Sequence, residues 1–405
     1  MAQLLDIPGF IKQHITRRDR SLFQNDLNSF HNELSERLNG SSVLVIGGAG
    51  TIGSSYIKAI LRFKIKSLYV IDVNENGLTE LVRDLRSSTG YLLPEDFKTY
   101  PINYVDQVFE NILREKGGFD IVANFAAHKH VRSEKDHHSI QAMINNNVIH
   151  ARQLLNLLLE FPPKHFFCVS TDKAANPVNV MGASKKLMED LMMSFSDKFP
   201  ITTARFANVA FSNGSLLYGF VERLFKRQPL ASPIDIKRYF VSPEESGQIC
   251  LLACILGESG EIFFPKLDYN KDMMTFSSIA EKFLEELGLK ALPCTSEEEA
   301  IRIANNLKPE SNNYPVFFFK SDTSGEKSFE EFYTKNEQKD MERFNGLGVI
   351  TKREESSLAI DEIINELHDF FENKKSKKPE IIRILKGYIS NFEHIEKGKG
   401  LDQRM

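Results

Sequence analysis

The 405-residue sequence predicts an α/β protein built on a doubly wound parallel sheet. Short apolar runs recur at Val43–Ile46, Leu68–Ile71, Ile121–Phe125, His165–Val169 and Ile201–Phe206. Helical patterns separate them, the order expected of a sheet covered by helices on both faces. A glycine-rich turn, Gly47-Gly48-Ala49-Gly50-Thr51-Ile52-Gly53, leaves the first run directly and opens a predicted helix over Ser54–Phe63.

Residues 1–40 precede the first strand and are polar. Phe10, Ile11, Ile15, Phe23, Leu27, Phe30, Leu34 and Leu38 fall mostly three or four apart, which predicts a helical hairpin packed on the domain or on a neighbouring subunit. Residues 41–210 carry the five strands and form the expected Rossmann-like nucleotide-binding domain. Past about Val209 the alternation breaks into loops rich in Pro, Ser and charge, so 211–350 are expected to form a smaller lobe interleaved with that domain. The tail, 351–405, reads as a helical extension. Leu358, Ile360, Ile363, Ile364 and Leu367 keep helical spacing from Glu354 onward, then a basic linker, Lys374–Lys378, precedes another short helix.

Composition excludes several function classes. The net charge of −4 mixes 51 basic with 55 acidic residues, so no global field favours nucleic acid, and any anion site must be local. Cys168, Cys250, Cys254 and Cys294 lack paired C-x-x-C spacing, and the opening Met1–Asp6 shows no basic-then-apolar signal pattern. These features predict reduced thiols in a cytoplasmic protein. No stretch approaches the roughly 20 apolar residues of a membrane helix, so no membrane insertion is expected. His128, Lys129 and His130 follow the third run without the Asp/Glu/His spacing that argues for metal, and no metal site is expected.

The glycine turn points to a dinucleotide. Its glycines permit a tight turn and close backbone approach, while the helix N-terminus offers unpaired N–H groups to a pyrophosphate. Gly47, Gly50, Thr51, Ile52 and Gly53 are therefore cofactor-binding candidates. Asp72 stands 19 residues after Gly53, where a carboxylate can accept both ribose hydroxyls and repel a 2′-phosphate, favouring NAD over NADP. Asp106, after Ile102–Val105, is read either as a contact to the adenine edge or as a solvated loop acid.

Thr171, Asp172 and Lys173 follow the strand at Phe166–Ser170, at the carboxyl end of the sheet where open α/β folds bind ligands. Eight residues on, Met181-Gly182-Ala183-Ser184-Lys185 opens a helix whose Lys185 could reach the nicotinamide ribose. Met181 cannot act as an acid or base, because a thioether carries no titratable proton.

Here the chain resembles the extended short-chain dehydrogenase/reductases, and within them the UDP-N-acetylglucosamine 4,6-dehydratases of polysaccharide biosynthesis. The stretches that carry the resemblance are Val45–Gly53, Asn124–Asp136, Ser170–Lys185, Arg205–Ser215, Arg238–Glu245 and Gly325–Glu331. The subgroup it resembles includes members with Met where other relatives carry Tyr, the situation at Met181.

The resemblance implies NAD-dependent oxidation of a hexose at C4, loss of water across C5 and C6, and return of the hydride to C6. By analogy Lys173 is the C5 base, Asp172 the acid for the departing C6 hydroxyl, and Thr171 a partner of the C4 oxygen. Without a tyrosine, Asp172 through Thr171, or a water, is expected to deprotonate the C4 hydroxyl. Ala126 and Ala127 are read as cofactor contacts and Lys129 as a sugar contact. Asn147 is either the helix-buried amide that steadies the central loop or an ordinary buried amide.

Arg205, Asn208, Asn213 and Ser215 resemble sugar-nucleotide contacts, and the Arg238 fork suits a diphosphate. Glu326 belongs to the uridine-end motif, although Asp322-Thr323-Ser324 stands where that motif usually has an arginine. UDP is the expected nucleotide, with GDP, CDP and dTDP open. The leading expectation is thus a C5-retaining 4,6-dehydratase acting on UDP-N-acetylglucosamine as a homo-oligomer. A C5-inverting dehydratase or 4-epimerase is the enzymatic alternative, and a non-catalytic NAD-binding sensor the non-enzymatic one.

Overall fold

A computed structural model describes residues 5–308, 310–322, 324–353, 359–372 and 377–397. Met1–Leu4, Thr323, Glu354, Leu358, Lys374 and Lys375, which enter the sequence reading above, lie outside the described residues.

The described strands are β1 (Ser42–Ile46), β2 (Ser67–Ile71), β3 (Asp96–Tyr100), β4 (Ile121–Asn124), β5 (His165–Thr171), β6 (Ile201–Phe206), β7 (Asn208–Val209), β8 (Leu230–Pro233), β9 (Lys237–Val241), β10 (Ile262–Pro265), β11 (Met273–Thr275), β12 (Lys290–Cys294), β13 (Asn313–Phe319), β14 (Gln338–Asp340) and β15 (Leu347–Lys352). Nine of them form the main sheet in the order β3-β2-β1-β4-β5-β6-β10-β15-β14. From β3 to β10 the pairing is parallel, and β15 and β14 close the far edge antiparallel. The order reverses between β1 and β4, which opens a crevice at the carboxyl ends of the strands.

Alternate side chains on these strands feed two different cores, because successive residues face opposite sides of a sheet. Val43, Val45, Val70, Ile121, Ala123, Phe167 and Ala204 point to one side. There they meet Tyr56, Ile57 and Ile60 from helix Thr51–Ile60 and Ile249 and Leu252 from helix Pro243–Leu256. Leu44, Ile46, Tyr69, Ile71, Val122, Phe166 and Ile201 point to the other side. Leu154, Leu187, Leu191, Ile363 and Ile381 cover them, so the two C-terminal helices, Ile360–Glu372 and Lys378–Tyr388, belong to this layer. Burial on both faces explains why the strands read as continuous apolar runs.

The smaller lobe holds two three-stranded sheets, β11-β9-β7 and β12-β13-β8, around a third core that includes Phe211, Phe220 and Phe283. The N-terminal segment is not a hairpin that packs as one piece. Phe10, Ile11 and Ile15 enter the small-lobe core, whereas Phe23, Leu34 and Leu38 enter the main core. Arg18 sits between, donating to Glu245 at 3.0 Å and to Asp272 at 3.2 Å.

Candidate active site

A cavity of about 1050 Å³ occupies the crevice above the β1–β4 reversal and runs beneath the small lobe. At its inner end lies the glycine turn. Gly47 adopts φ +75°, and a Cβ there would meet the Ala126 nitrogen at 2.5 Å. A Cβ on Gly53 would meet the Gly47 carbonyl oxygen at 2.4 Å, so these two positions admit only glycine. Helix Thr51–Ile60 starts at Gly50 with no side-chain cap, and Gly50, Thr51, Ile52 and Gly53 all line the cavity. Uncapped N–H groups and the positive end of the helix dipole therefore face the space, which fits a pyrophosphate.

Asp72 lines the same end, its Oδ2 accepting from the Ala49 N–H and its Oδ1 from the Asn74 N–H, both at 2.9 Å. Ala126 and Ala127 form the facing wall. Asp106 does not line the cavity. Its Oδ2 accepts the Asn103 N–H at 3.0 Å, and Asn103 and Tyr104 reach the space.

At the centre, Thr171, Lys173, Met181 and Lys185 share one wall. Helix Val180–Ser194 places Met181 and Lys185 one turn apart, capped by Asn179, whose Oδ1 accepts the Gly182 N–H at 2.7 Å. Lys185 Nζ donates to the Val169 carbonyl at 2.7 Å, and burial lowers its pKa.

Asp172 is placed differently from the expectation. It is buried just behind the wall and does not itself line the cavity, because its Oδ1 accepts from Thr171 Oγ1 at 2.8 Å and Lys173 Nζ at 3.0 Å. It touches the reaction space through those two neighbours. Its surroundings are charged, and Lys173 also lies 4.0 Å from Glu330.

The central loop is held from behind by Asn147. Its Oδ1 accepts the His128 N–H at 2.8 Å, and its Nδ2 donates to the His128 carbonyl and to Ser184 Oγ, both at 3.0 Å. Both hydrogen-bonding functions of the buried amide are used, and His128, Lys129 and His130 consequently face the cavity.

Toward the small lobe, Asn208, Ser215, Arg238 and Glu326 line the cavity. Ser215 also caps helix Leu216–Phe225. Arg238 is nearly buried and donates through Nη1 to the carbonyls of Lys327 at 3.0 Å and Ser328 at 3.3 Å, tying β9 to the 325–330 loop. Asn213 does not line the space; its N–H donates to Thr51 Oγ1 at 3.0 Å and links the lobe to the glycine turn.

Arg205 is corrected as well. It is fully buried, with Nε and Nη2 on Glu189 and Nη1 and Nη2 on Glu337, at 2.8–2.9 Å. A guanidinium so engaged is a structural cross-brace, not a sugar-nucleotide contact. Sequence reasoning missed Arg132, Arg223, Lys226 and Glu330, which all line the cavity. Glu330 lies within Gly325–Glu331, but nothing local in the sequence distinguishes it from the neighbouring Glu331.

A family described as "Polysaccharide biosynthesis protein" matches residues 43–352, the span that builds the sheet, the cavity and most of the lobe. The chain belongs to that family. An uncharacterized membrane protein of Methanocaldococcus jannaschii is 30% identical over 325 residues, 78% of this chain and 88% of that one. No described helix of this family member is long and apolar enough to cross a membrane. A UDP-N-acetylglucosamine 4,6-dehydratase (inverting) of Campylobacter jejuni is 26% identical over 240 residues, 56% of this chain and 68% of that protein. Among solved structures, a double mutant of the dTDP-glucose 4,6-dehydratase DesIV from Streptomyces venezuelae, with NAD and DAU bound, shares the fold. Its TM-score is 0.54 at 18% identity, covering 72% of this chain and 87% of that one.

Proposed function

We propose that this polysaccharide-biosynthesis family member is a cytoplasmic, NAD-dependent nucleotide-sugar 4,6-dehydratase acting on UDP-N-acetylglucosamine. The observation that carries the reading is the convergence of Thr171, Lys173 and Lys185 on one cavity wall beside an uncapped glycine turn, with Asp172 bonded to two of them. NAD, held along Gly47–Gly53 with its ribose on Asp72, supplies a hydride acceptor and donor. In this reading Lys173 removes the proton from C5, acidified by the C4 ketone, and later returns it, while the Thr171 hydroxyl bonds the C4 oxygen. Lys185 holds the nicotinamide ribose. Asp172 keeps Lys173 and Thr171 in register and exchanges protons with the sugar through Thr171.

Lys129, Asn208, Ser215, Arg238 and Glu326 form the substrate end, where Arg238 also secures the loop that carries Glu326. The product is read as retained at C5. The name of the Campylobacter relative, an inverting enzyme, favours C5 inversion as the second reading. A 4-epimerase has no use for a proton donor at C6, so the elimination itself separates the classes.

The test is incubation of purified protein with UDP-N-acetylglucosamine in D2O, followed by NMR. A 4-keto-6-deoxy product with deuterium at C5 is expected, its C5 configuration deciding between the two readings. Inversion at C4 with C6 intact would refute dehydration. In Lys173→Ala the rate should fall at least ~10²-fold, as when a positioned acid or base is lost. Wild-type activity in that variant would mean another group is the base.

A further inference from the structure

Lys173 stands between two carboxylates that come from distant parts of the chain. Asp172, beside it, accepts from its Nζ at 3.0 Å, and on another side Glu330 Oε1 lies 4.0 Å away. The same Glu330 oxygen lies 3.8 Å from Arg238 Nη2, so one carboxylate faces both the catalytic-wall lysine and the guanidinium at the substrate end. Glu330 is 3% exposed and lines the cavity, and among the described residues no hydrogen bond reaches its carboxylate. The other cavity-lining carboxyls are occupied elsewhere: Asp72 at the cofactor end, Glu222 with Lys226 at 2.7 Å, and Glu326 with the Ser321 hydroxyl.

The position of Glu330 is fixed from both sides. Lys327 Nζ donates to the Asn176 carbonyl, and Asn176 Nδ2 donates to Glu331 at 2.9 Å, so the chain around Glu330 is bonded to the residue three places after Lys173. Arg238 Nη1 secures the same loop from β9 through the carbonyls of Lys327 and Ser328. Burial pushes the Glu330 carboxyl above the ordinary range and Asp172 adds to this, while Lys173, Arg238 and Lys327 oppose it by favouring the charged form.

We propose that Glu330 is a positioning residue for Lys173: its carboxylate holds Nζ over the sugar in register with Arg238 and stabilises the ammonium formed when Lys173 takes the C5 proton. The assignment rests on the 4,6-dehydratase reading and leaves the parts of Thr171, Asp172 and Lys185 as described above. With C4 oxidised, the C5–H bond breaks, its proton goes to Nζ, and its electron pair passes to the C4 oxygen that Thr171 bonds. Positive charge therefore appears at Nζ, between Asp172 and Glu330. In so nearly buried a setting a fixed opposite charge counts for more than it would in water. Asp172 Oδ1 is shared with the Thr171 hydroxyl, and it holds Nζ from the turn after β5 alone. Glu330 supplies a second hold from the loop that Arg238 secures, so the grip on the substrate end and the aim of Nζ are linked through one side chain.

The experiment compares E330Q and E330D of the full chain with wild type, on UDP-N-acetylglucosamine carrying hydrogen or deuterium at C5. E330Q keeps the shape and removes the charge. It is expected to retain its NAD and its melting temperature, and its kcat should fall ~10- to 10²-fold, the scale of a misplaced reacting group, with a smaller change in KM. Its C5 isotope effect on kcat should be at least as large as that of wild type, because proton abstraction is the step slowed. E330D, which restores the charge on a shorter arm, should recover part of the loss. Wild-type kcat in E330Q, a C5 isotope effect smaller than that of wild type, or a loss in E330D as large as in E330Q would overturn the assignment. If E330Q does not fold, E330D alone must show a lowered kcat with an undiminished isotope effect; wild-type kcat or a diminished effect overturns the proposal. Absence of any 4-keto-6-deoxy product from wild-type protein would instead refute the dehydratase reading, and this assignment with it.

Discussion

The Arg205 guanidinium makes five hydrogen bonds, four to the carboxylates of Glu189 and Glu337 and one to the Phe332 carbonyl. All three charged groups are essentially removed from water, and Glu189 also accepts from Ser170 Oγ at 2.6 Å. Such an array is satisfied as it stands, but removing one member leaves uncompensated charge in a medium that solvates it poorly. Burial opposes the charge on Glu189, and Arg205 outweighs that, holding the carboxyl below its ordinary range. The brace ties β6, helix Val180–Ser194 and the segment before β14 together behind the catalytic wall. Arg205→Ala is expected to lower the unfolding free energy in urea by about 3–5 kcal/mol. Affinity for UDP-N-acetylglucosamine should change little, as read by calorimetry on the folded fraction. Unchanged stability with lost affinity would restore Arg205 to the substrate.

The segment after helix Lys378–Tyr388 acts as a strap across the loops that carry the site. Glu393 and Ile395 donate their N–H groups to the carbonyls of Pro177 and Val178, at 3.1 and 3.0 Å, and the Ile395 carbonyl accepts the Gly325 N–H at 2.9 Å. Asn391 Nδ2 donates to the Ala175 carbonyl at 2.9 Å, and His394 Nε2 lies 2.5 Å from Glu134, whose other oxygen accepts the Val180 N–H at 2.7 Å. The strap thus holds both the loop between Lys173 and Met181 and the loop that leads into Glu330. Because small misplacements of reacting groups cost up to ~10²-fold, a chain ending at Tyr388 should fold and bind NAD but lose about 10²-fold in kcat. Steady-state kinetics with a cofactor titration checks this, and full kcat would show the loops to be self-supporting. The sequence reading could place a helical tail here, but the strap depends on residues 70 to 260 positions away and leaves no local period. Strand β3, Asp-Phe-Lys-Thr-Tyr, was missed for a related reason. It is an edge strand, half-buried and interrupted by charge, so its pairing with β2 provides what its own composition does not.

Across the whole molecule, what was legible is what local chemistry dictates: five two-sided strands, the glycine turn, and the Thr171–Lys185 stretch, which the sheet topology delivers to one crevice. What was not legible is what distant segments decide, including the burial of Arg205 and the approach of Glu330 to Lys173. The N-terminal segment is the clearest case, since its apolar spacing predicted packing but not that it would divide between two cores. Phe10 meets Phe211 and Phe283 edge-on at 5.9 and 5.8 Å, while Phe23 and Leu34 belong to the core under the main sheet. Arg18, between them, bonds Glu245 of the main-core helix and Asp272 before β11. The segment therefore bridges the cofactor and substrate sides of the cavity from outside it. Phe10→Ala removes a side chain only 2% exposed, and losses of about 3–5 kcal/mol are typical for such truncations. Because Phe10 contributes to the small-lobe core alone, the loss should localise. Amide exchange is expected to accelerate in β8, β12, β13 and helix Phe276–Glu286, with β1, β4 and β5 protected as in wild type. Substrate KM should rise more than the NAD dissociation constant, since the lobe completes only the sugar-nucleotide end. Uniform acceleration across both lobes would mean that they unfold as one unit and that the segment only adds to a common core.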